Sequence, residues 1–350
     1  MAYTTINKST DHFDIRTYSA SGAGSISDVS FQPDFLWFKN RASVGDHGLM
    51  DAIRTVNKIL HSNDANAEAT SGASNDFTAF TSNGFTYGTS AQLDTSTGTP
   101  CTWLWKANGT GSTNTNGSQN STVSANTAAG FSIVKYTGTG ANVTIGHGLG
   151  VAPKMIHIKG LGNANNWLTG GTNISSNWSS SLHLNTTAGI DTYNYWQDQA
   201  PNTNVFYMTS DGAINQNGID YIAYCFSDVQ GYSKFGSYTG NGNADGPFIY
   251  TGFKPSFVLR KYATGGTAAG EGWELLDGTR SPFNVADKRL RADTTSAEST
   301  GANYYVDFLS NGFKIRTADN ATNNSGATYI YMAIAAAPLV GSNNVPANAR

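Results

Sequence analysis

Six histidines are the residues of this chain whose side chains most readily bind metals or transfer protons near neutral pH. They are His12, His47, His61, His147, His157 and His183. A zinc site needs several ligands at short, regular spacing, and these histidines are scattered along the chain. His157 and His183 lie in strand-like patterns, whereas His47 and His147 each precede a glycine, as turn residues do. The histidines therefore predict structural roles and no metal site.

Carboxylates could support another chemistry, because glycoside hydrolases use a pair of Asp or Glu side chains around the scissile bond. The acidic residues of the C-terminal third include Asp277, Asp287, Asp293, Glu298 and Asp307. They are spread out and mostly lie in turn contexts, so we interpret them as solvated surface residues. No Gly-x-Ser-x-Gly elbow stands between a strand and a helix, and no phosphate-binding loop occurs. The sequence predicts no catalytic residue, no cofactor and no enzyme.

Seven tryptophans offer a binding chemistry, since the exposed face of an indole ring can stack on a sugar. Four of them lie in or just after strands of the internal repeat described next, which favours core or inter-module packing: Trp37, Trp103, Trp167 and Trp273. Trp178 and Trp196 lie in a loop-rich stretch instead. These two residues are the candidates for surface binding.

The elements that must position these side chains form a repeat. Its clearest part is a proline followed by a short apolar strand that ends in lysine. This part occurs three times, at Pro33–Lys39, Pro153–Lys159 and Pro255–Lys261. Each copy also has an opening strand, found near Phe13–Ser19, Gly130–Gly138 and Gly231–Gly240, and an aromatic closing strand, found at Thr102–Lys106, Tyr221–Phe226 and Tyr329–Ala335. The ordered recurrence of these elements predicts three diverged copies of one module.

Tight turns separate the later strands of each copy. Asn83-Gly84 and Asn311-Gly312 stand between apolar runs, and Asn-Gly is the strongest short signal for a β-hairpin. We expect Met208–Gly212 to form the corresponding hairpin of the middle copy.

The repeat sets the predicted domain boundaries. We expect β-sandwich repeats at residues 1–106, 130–230 and 231–337, with a low-complexity linker at 107–129 and a C-terminal tail at 338–350. The linker is rich in small polar residues, so we expect copy one to be flexibly connected and copies two and three to be closely coupled. Strands at short spacing without a long amphipathic helix predict an all-β fold of tandem antiparallel β-sandwiches, jelly-roll or lectin-like in topology.

The composition of the chain argues against some classes of binding partner. Of 350 residues, 13% are charged and the net charge is −3, which argues against nucleic-acid binding. No apolar run is long enough to cross a membrane, and the N-terminus has no secretory signal pattern, so we expect neither membrane insertion nor export. Cys101 and Cys225 stand in or beside closing strands and are expected to be reduced core thiols.

Several of these motifs resemble a known family. The opening Met1–Ser9, the segments Phe31–Arg41 and His147–Ile156, and the run Gly231–Gly242 are similar to a repeat family of unknown function found in structural proteins of marine tailed bacteriophages such as cyanophages. The resemblance covers nearly the whole chain. It implies a virion component and transfers no catalytic residue.

These expectations converge on a non-enzymatic virion protein. The leading hypothesis is a tail fibre or tail-attached appendage that presents β-modules to host-surface glycans, in contact with other virion proteins and associated as a homo-oligomer, with a trimer favoured for a fibre. A capsid decoration or head-fibre protein is the alternative. A polysaccharide depolymerase is the alternative from another class.

Overall fold

Three groups of β-strands follow one another along the chain in a computed structural model, which describes residues 4–55, 57–70, 77–89, 98–263, 271–338 and 340. The first module (residues 4–106) contains a 3-10 helix at Ser9–Asp11 and the strands β1 (Phe13–Thr17), β2 (Gly24–Ile26), β3 (Phe35–Asn40), β4 (Gly48–Asp51), β5 (Lys58–Ile59), β6 (Ala69–Thr70), β7 (Phe77–Thr81), β8 (Gly84–Tyr87) and β9 (Pro100–Trp105).

The second module (residues 107–230) contains β10 (Ser112–Asn114), β11 (Ser121–Asn126), β12 (Phe131–Thr137), β13 (Val143–Gly146), β14 (Met155–Gly160), β15 (Leu168–Gly171), β16 (Leu182–His183), β17 (Val205–Met208), the helix α1 (Gly212–Asn215) and β18 (Asp220–Phe226). The third module (residues 231–338) contains β19 (Ser233–Thr239), β20 (Phe248–Tyr250), β21 (Phe253–Tyr262), β22 (Trp273–Asp277), β23 (Lys288–Arg291), β24 (Ser299–Thr300), a 3-10 helix at Ala302–Tyr304, β25 (Val306–Leu309), β26 (Gly312–Ile315), α2 (Asn320–Asn323) and β27 (Thr328–Pro338).

The predicted all-β, antiparallel sandwich fold is confirmed. Each module has one large sheet, with strand order β1-β9-β3-β4, β10-β11-β12-β18-β14-β15-β16 or β19-β27-β21-β22-β23-β24. A small sheet covers one face of each: β2-β8-β7, β13-β17 or β20-β26-β25. Within every large sheet the closing strand lies between the opening strand and the proline strand. This shared order supports the interpretation of three copies, which stays a prediction of common origin.

The central strands of the large sheets are buried on both faces. In β3, Leu36 and Phe38 face the core under the small sheet of the first module. The alternate residues Phe35 and Trp37 enter a second core to which the closing strands of all three modules contribute. Because successive side chains of a strand point to opposite faces, this double burial explains why the proline and closing strands are continuously apolar.

The three modules contact one another in a closed cycle. The backbone N–H of Glu68 in the first module donates to the carbonyl of Leu161 in the second at 3.0 Å. Equivalent bonds join Ile190 to Ala263 at 3.2 Å, from the second module to the third, and Glu298 to Arg41 at 2.9 Å, from the third to the first. The chain therefore folds as one body with an approximate threefold arrangement and not as three independent domains.

Contacts from side-chain rings also join the three modules, in each case from one module to the module before it in the cycle. The ring belongs to the residue just before β4 or β15, or to the first residue of β22, and its nitrogen contacts a carbonyl of the preceding module. These contacts are Trp167 Nε1 to His61 O (2.7 Å), Trp273 Nε1 to His183 O (2.9 Å) and His47 Nε2 to Arg291 O (2.9 Å). Because His47 Nδ1 accepts a hydrogen bond from the Trp37 indole, His47 Nε2 carries the proton and donates it.

The predicted linker at residues 107–129 is wrong. Strands β10 and β11 form there, and β11 pairs with β12 from Ser121↔Tyr136 to Asn126↔Phe131. The segment thus extends the large sheet of the second module, where its Ser and Thr residues suit a strand half-exposed to water. The expectation that copy one is flexibly attached is wrong for the same reason. Of the predicted tail, residues 339 and 341–350 lie outside the described residues.

Two of the three expected hairpins form. Thr81 pairs with Gly84 and Leu309 with Gly312, so the two-residue loops are Ser-Asn and each glycine is the first residue of the next strand. A Cβ on Gly312 would lie 2.0 Å from the Ile249 carbonyl oxygen, which explains the glycine by close backbone approach. The expected hairpin at Met208–Gly212 is wrong, because the Asp211 carboxylate instead caps α1.

Candidate functional site

The two predicted surface residues, Trp178 and Trp196, are not on the surface. Both side chains are fully buried and their rings meet edge to face, 4.9 Å apart between centroids. They fill the sandwich of the second module above Gly170, where a Cβ would lie 2.5 Å from each indole. The loop-rich context misled the prediction, because the sheet beneath has a gap that only large side chains fill.

The carboxylates of the third module also differ from expectation. Asp277 and Asp293 are buried rather than solvated, and Glu298 is half-buried. Asp277 accepts from Arg280 Nε at 2.6 Å and from the Trp103 indole of the first module at 3.1 Å. Asp277 therefore links the third module to the first, whereas Asp293 binds Arg291 within the third module.

The histidines have structural positions. His157 is buried in β14, where its Nδ1 contacts Thr169 Oγ1 at 2.8 Å, and burial lowers its pKa to about 3. His47 lies just before β4, and burial lowers its pKa to about 3 as well. His147 lies between β13 and β14, where its Nε2 contacts the Asn202 carbonyl. Among the residues described, no cluster of three or more His, Cys, Asp or Glu side chains could hold a metal.

The lysines near the ends of the three proline strands have lowered pKa values. Burial lowers the pKa of Lys39, Lys159 and Lys261 to about 8, a range in which lysine can act as a nucleophile. Each ammonium group instead donates to two backbone carbonyls, as Lys39 does to Asn40 and Ser43 at 3.0 and 3.1 Å. They cap loop carbonyls beneath the surface, out of reach of a substrate.

Cys101 and Cys225 are free and buried, as predicted for core thiols. Burial raises the pKa of both thiols, so neither is a reactive thiolate.

An open cleft of 530 Å³ lies on the third module, and no sequence signal pointed to it. Its lining includes the buried residues Pro255 and Phe308, and Phe283, which has 81% of its surface exposed. The remaining lining comes from Lys254, Ser256, Gly278, Thr279, Ser281, Pro282, Asn284 and Ala336. Clefts that combine apolar surface with a few polar groups are the usual form of ligand sites.

A β-bulge forms part of the lining of the cleft. Pro255 pairs with Ala335 and Phe257 with Ile334, so Ser256 is an extra residue in β21. Proline has no N–H to give to the ladder, which explains why pairing is irregular at this point. The Ser256 hydroxyl donates to the Ile334 carbonyl at 3.2 Å and secures the bulge. Bulges of this kind commonly redirect side chains next to binding sites.

The loop that carries Phe283 is held on both sides. The Asn284 side chain donates to the Phe308 carbonyl at 3.1 Å and accepts from the Phe308 N–H at 2.9 Å. Ala286 and Val306 then exchange two backbone hydrogen bonds, 2.8 and 3.1 Å long. The exposed ring is therefore presented by a loop fixed to β25.

A second cleft, of 510 Å³, lies between the first and second modules. It is lined by charged residues that pair with one another: Arg54 and Lys58 with Glu68, and Lys135 with Asp220. Its charges are already neutralised internally and its lining includes no exposed aromatic ring, so the Phe283 cleft is the better binding candidate.

The fold is built of β-sandwiches, and the Phe283 cleft is the candidate binding site in the part of the chain that the structure describes. No described helix could span a membrane. Residues 8–338 match the family described as a domain of unknown function, DUF7483, and the chain belongs to that family. No curated protein and no solved structure matches the chain.

Proposed function

We propose that this chain is a non-enzymatic structural protein of a bacteriophage particle, a tail fibre or tail-attached appendage that binds host-surface glycans through the Phe283 cleft. The resemblance of its sequence motifs to phage structural repeats supports the virion role. The exposed ring of Phe283 beside a polar cleft is the observation that carries the glycan role.

The cleft suits a sugar better than a purely apolar ligand. An aromatic face carries partial negative charge and attracts the weakly positive C–H face of a pyranose ring. Around it, Thr279 and the backbone of the bulge offer groups for sugar hydroxyls. A loop already fixed in place also loses little conformational entropy on binding, which favours recognition by the aromatic side chain that it carries.

Binding without cleavage is favoured by the chemistry of the lining. Hydrolysis of a glycosidic bond needs two carboxyl groups across the substrate. The described lining of the cleft contains no Asp or Glu, and the nearby Asp277 is buried against Arg280. A ligand in this cleft would be held and not hydrolysed.

The closed cycle of modules suits a part of a particle that must keep its shape. The shared core and the buried ion pairs fix the modules in one rigid body, while surface loops stay free to vary. Contacts with other virion proteins and with further copies of the chain would use the outer surfaces. The trimer of chains stays a prediction, measurable by light scattering of the purified protein.

Binding of the purified chain to a panel of bacterial surface polysaccharides tests the glycan role. We expect Phe283→Ala to abolish most of the binding, whereas Tyr250→Ala, which removes another exposed ring outside the cleft, leaves it unchanged. Equal binding by both variants would reject this cleft. Shortening of a bound polysaccharide, measured by size-exclusion chromatography, would favour the depolymerase alternative.

Immunogold labelling of virions that contain the chain tests its position. We expect label on the tail or its appendages. Label over the capsid lattice would reject the tail and favour the decoration or head-fibre alternative.

A further inference from the structure

Lys254 stands at the rim of the Phe283 cleft without a counter-charge. Its side chain is exposed and makes no ion pair or hydrogen bond with the described part of the chain. Most other cations of the third module are already neutralised; Lys314, for example, binds Asp245 at 2.8 Å and Arg316 binds Asp307 at 3.3 Å.

The cleft therefore has a net positive charge. Its described lining has one cation, Lys254, and no carboxylate. Two acidic side chains lie behind the lining: Asp277 binds Arg280, and Asp287 accepts from the hydroxyl of the lining residue Ser281 at 3.4 Å. An anionic group bound beside Lys254 would meet no like charge among the lining residues.

This lysine is specific to the module that has the exposed aromatic ring. The residue before the repeat proline is Gln32 in the first module and Ala152 in the second, against Lys254 in the third. The cation and the exposed ring of Phe283 thus occur together in the lining of one cleft, on a scaffold whose other two versions lack this lysine.

We propose, resting on the proposed glycan role, that the cleft selects an anionic sugar, with a ring stacked on Phe283 and its carboxylate paired with the ammonium group of Lys254. Uronic acids have the required chemistry, a pyranose ring with a carboxylate at its edge. Because the pair is exposed to water, Lys254 supplies selectivity and Phe283 supplies most of the affinity.

Calorimetric titration with matched sugars tests this. The probes are β-linked hexamers of glucuronate, galacturonate and mannuronate, each beside its carboxyl-reduced, neutral product. We expect the wild-type protein to bind at least one uronate about threefold to fivefold more tightly than its neutral product at 0.15 M salt, with a smaller ratio at 1 M salt.

Three variants separate the contributions. Lys254→Ala should lower the affinity for the uronate to that for the neutral hexamer, and Lys254→Arg should keep the preference. Phe283→Ala should weaken both sugars about tenfold. Lys314→Ala is the matched control, since it removes one positive charge from the same module outside the cleft.

The outcomes distinguish the two proposals. Equal binding of uronate and neutral hexamers that depends on Phe283 would overturn the anionic selectivity and leave the glycan role standing. A preference that Lys254→Ala does not change, or that Lys314→Ala removes equally, would also overturn it. Binding of none of the six sugars would overturn both.

Discussion

Removing one buried arginine should test how the modules are held together. Arg280 lies under the interface of the third and first modules, with its side chain fully buried. It binds Asp277 at 2.6 Å, Glu298 at 3.0 Å and the Leu275 carbonyl at 2.8 Å, and its guanidinium lies 5.5 Å from the centre of the Trp103 ring. We expect Arg280→Met to destabilise the whole chain and not only its own module.

The magnitude follows from what the substitution leaves behind. Asp277 would keep two donors, the backbone N–H of residue 280 and the Trp103 indole, but its fully buried carboxylate would lose its counter-charge. Removing one partner of a buried ion pair costs about 3–5 kcal/mol of unfolding free energy. The half-buried Glu298 can also bind Arg41, at 3.2 Å, so its contribution to the loss is small.

The second module provides the matched control. Register places Gly171, Ile174 and Ile190 where the third module has Asp277, Arg280 and Glu298, and Met332 where the first module has Trp103. That interface is apolar and needs no ion pair. The quadruple variant Asp277→Ala, Arg280→Ile, Glu298→Ile, Trp103→Met should therefore recover most of the stability lost in Arg280→Met, since apolar replacement of a buried ion pair is often neutral.

Guanidinium chloride unfolding, followed by tryptophan fluorescence and by circular dichroism, measures these differences. The single variant should shift the midpoint of one cooperative transition, and the quadruple variant should return toward wild type. A loss below about 1 kcal/mol in Arg280→Met, or a quadruple variant as unstable as the single one, would refute this account of the interface.

Three further results are expected. The third module expressed alone should expose its part of the shared core and elute as an aggregate in size-exclusion chromatography; a folded monomer would contradict the shared core. Gly170→Ala should cost about 1–3 kcal/mol in denaturant unfolding, because its Cβ would lie 2.5 Å from both Trp178 and Trp196, and an unchanged midpoint would be inconsistent with their packing. The free energy of unfolding should fall as the pH drops below about 6.5. His47 and His157, with pKa values of about 3, stay neutral in the folded chain while the unfolded chain binds protons. His157→Gln should lessen the dependence of stability on pH, and an unchanged dependence would contradict this role of His157.

Much of the fold could be predicted because it depends on local patterns. The repeat prolines lie near the starts of strands, and the Asn-Gly pairs lie at turns between strands. The alternation of apolar residues predicts the all-β class. The contacts between modules could not be predicted in the same way. They depend on backbone groups such as Glu68 N–H and Leu161 C=O, which every residue has, so no side-chain pattern reveals that the three modules close into a cycle.

Whether a loop aromatic is buried or exposed could not be predicted from the sequence, because the direction in which it points depends on the strand beneath it. Three residues after the repeat proline, the proline strand pairs with Gly170 in the second module and with Leu276 in the third. Gly170 leaves a gap that Trp178 fills, whereas the buried Leu276 fills that space itself, so Phe283 on the equivalent loop stays outside. The glycine and the leucine at this one position of the repeat distinguish the buried aromatic from the exposed one. Register places Met50 at the same position of the first module, so the second module is the copy that departs from the others, and its glycine accounts for the burial of Trp178.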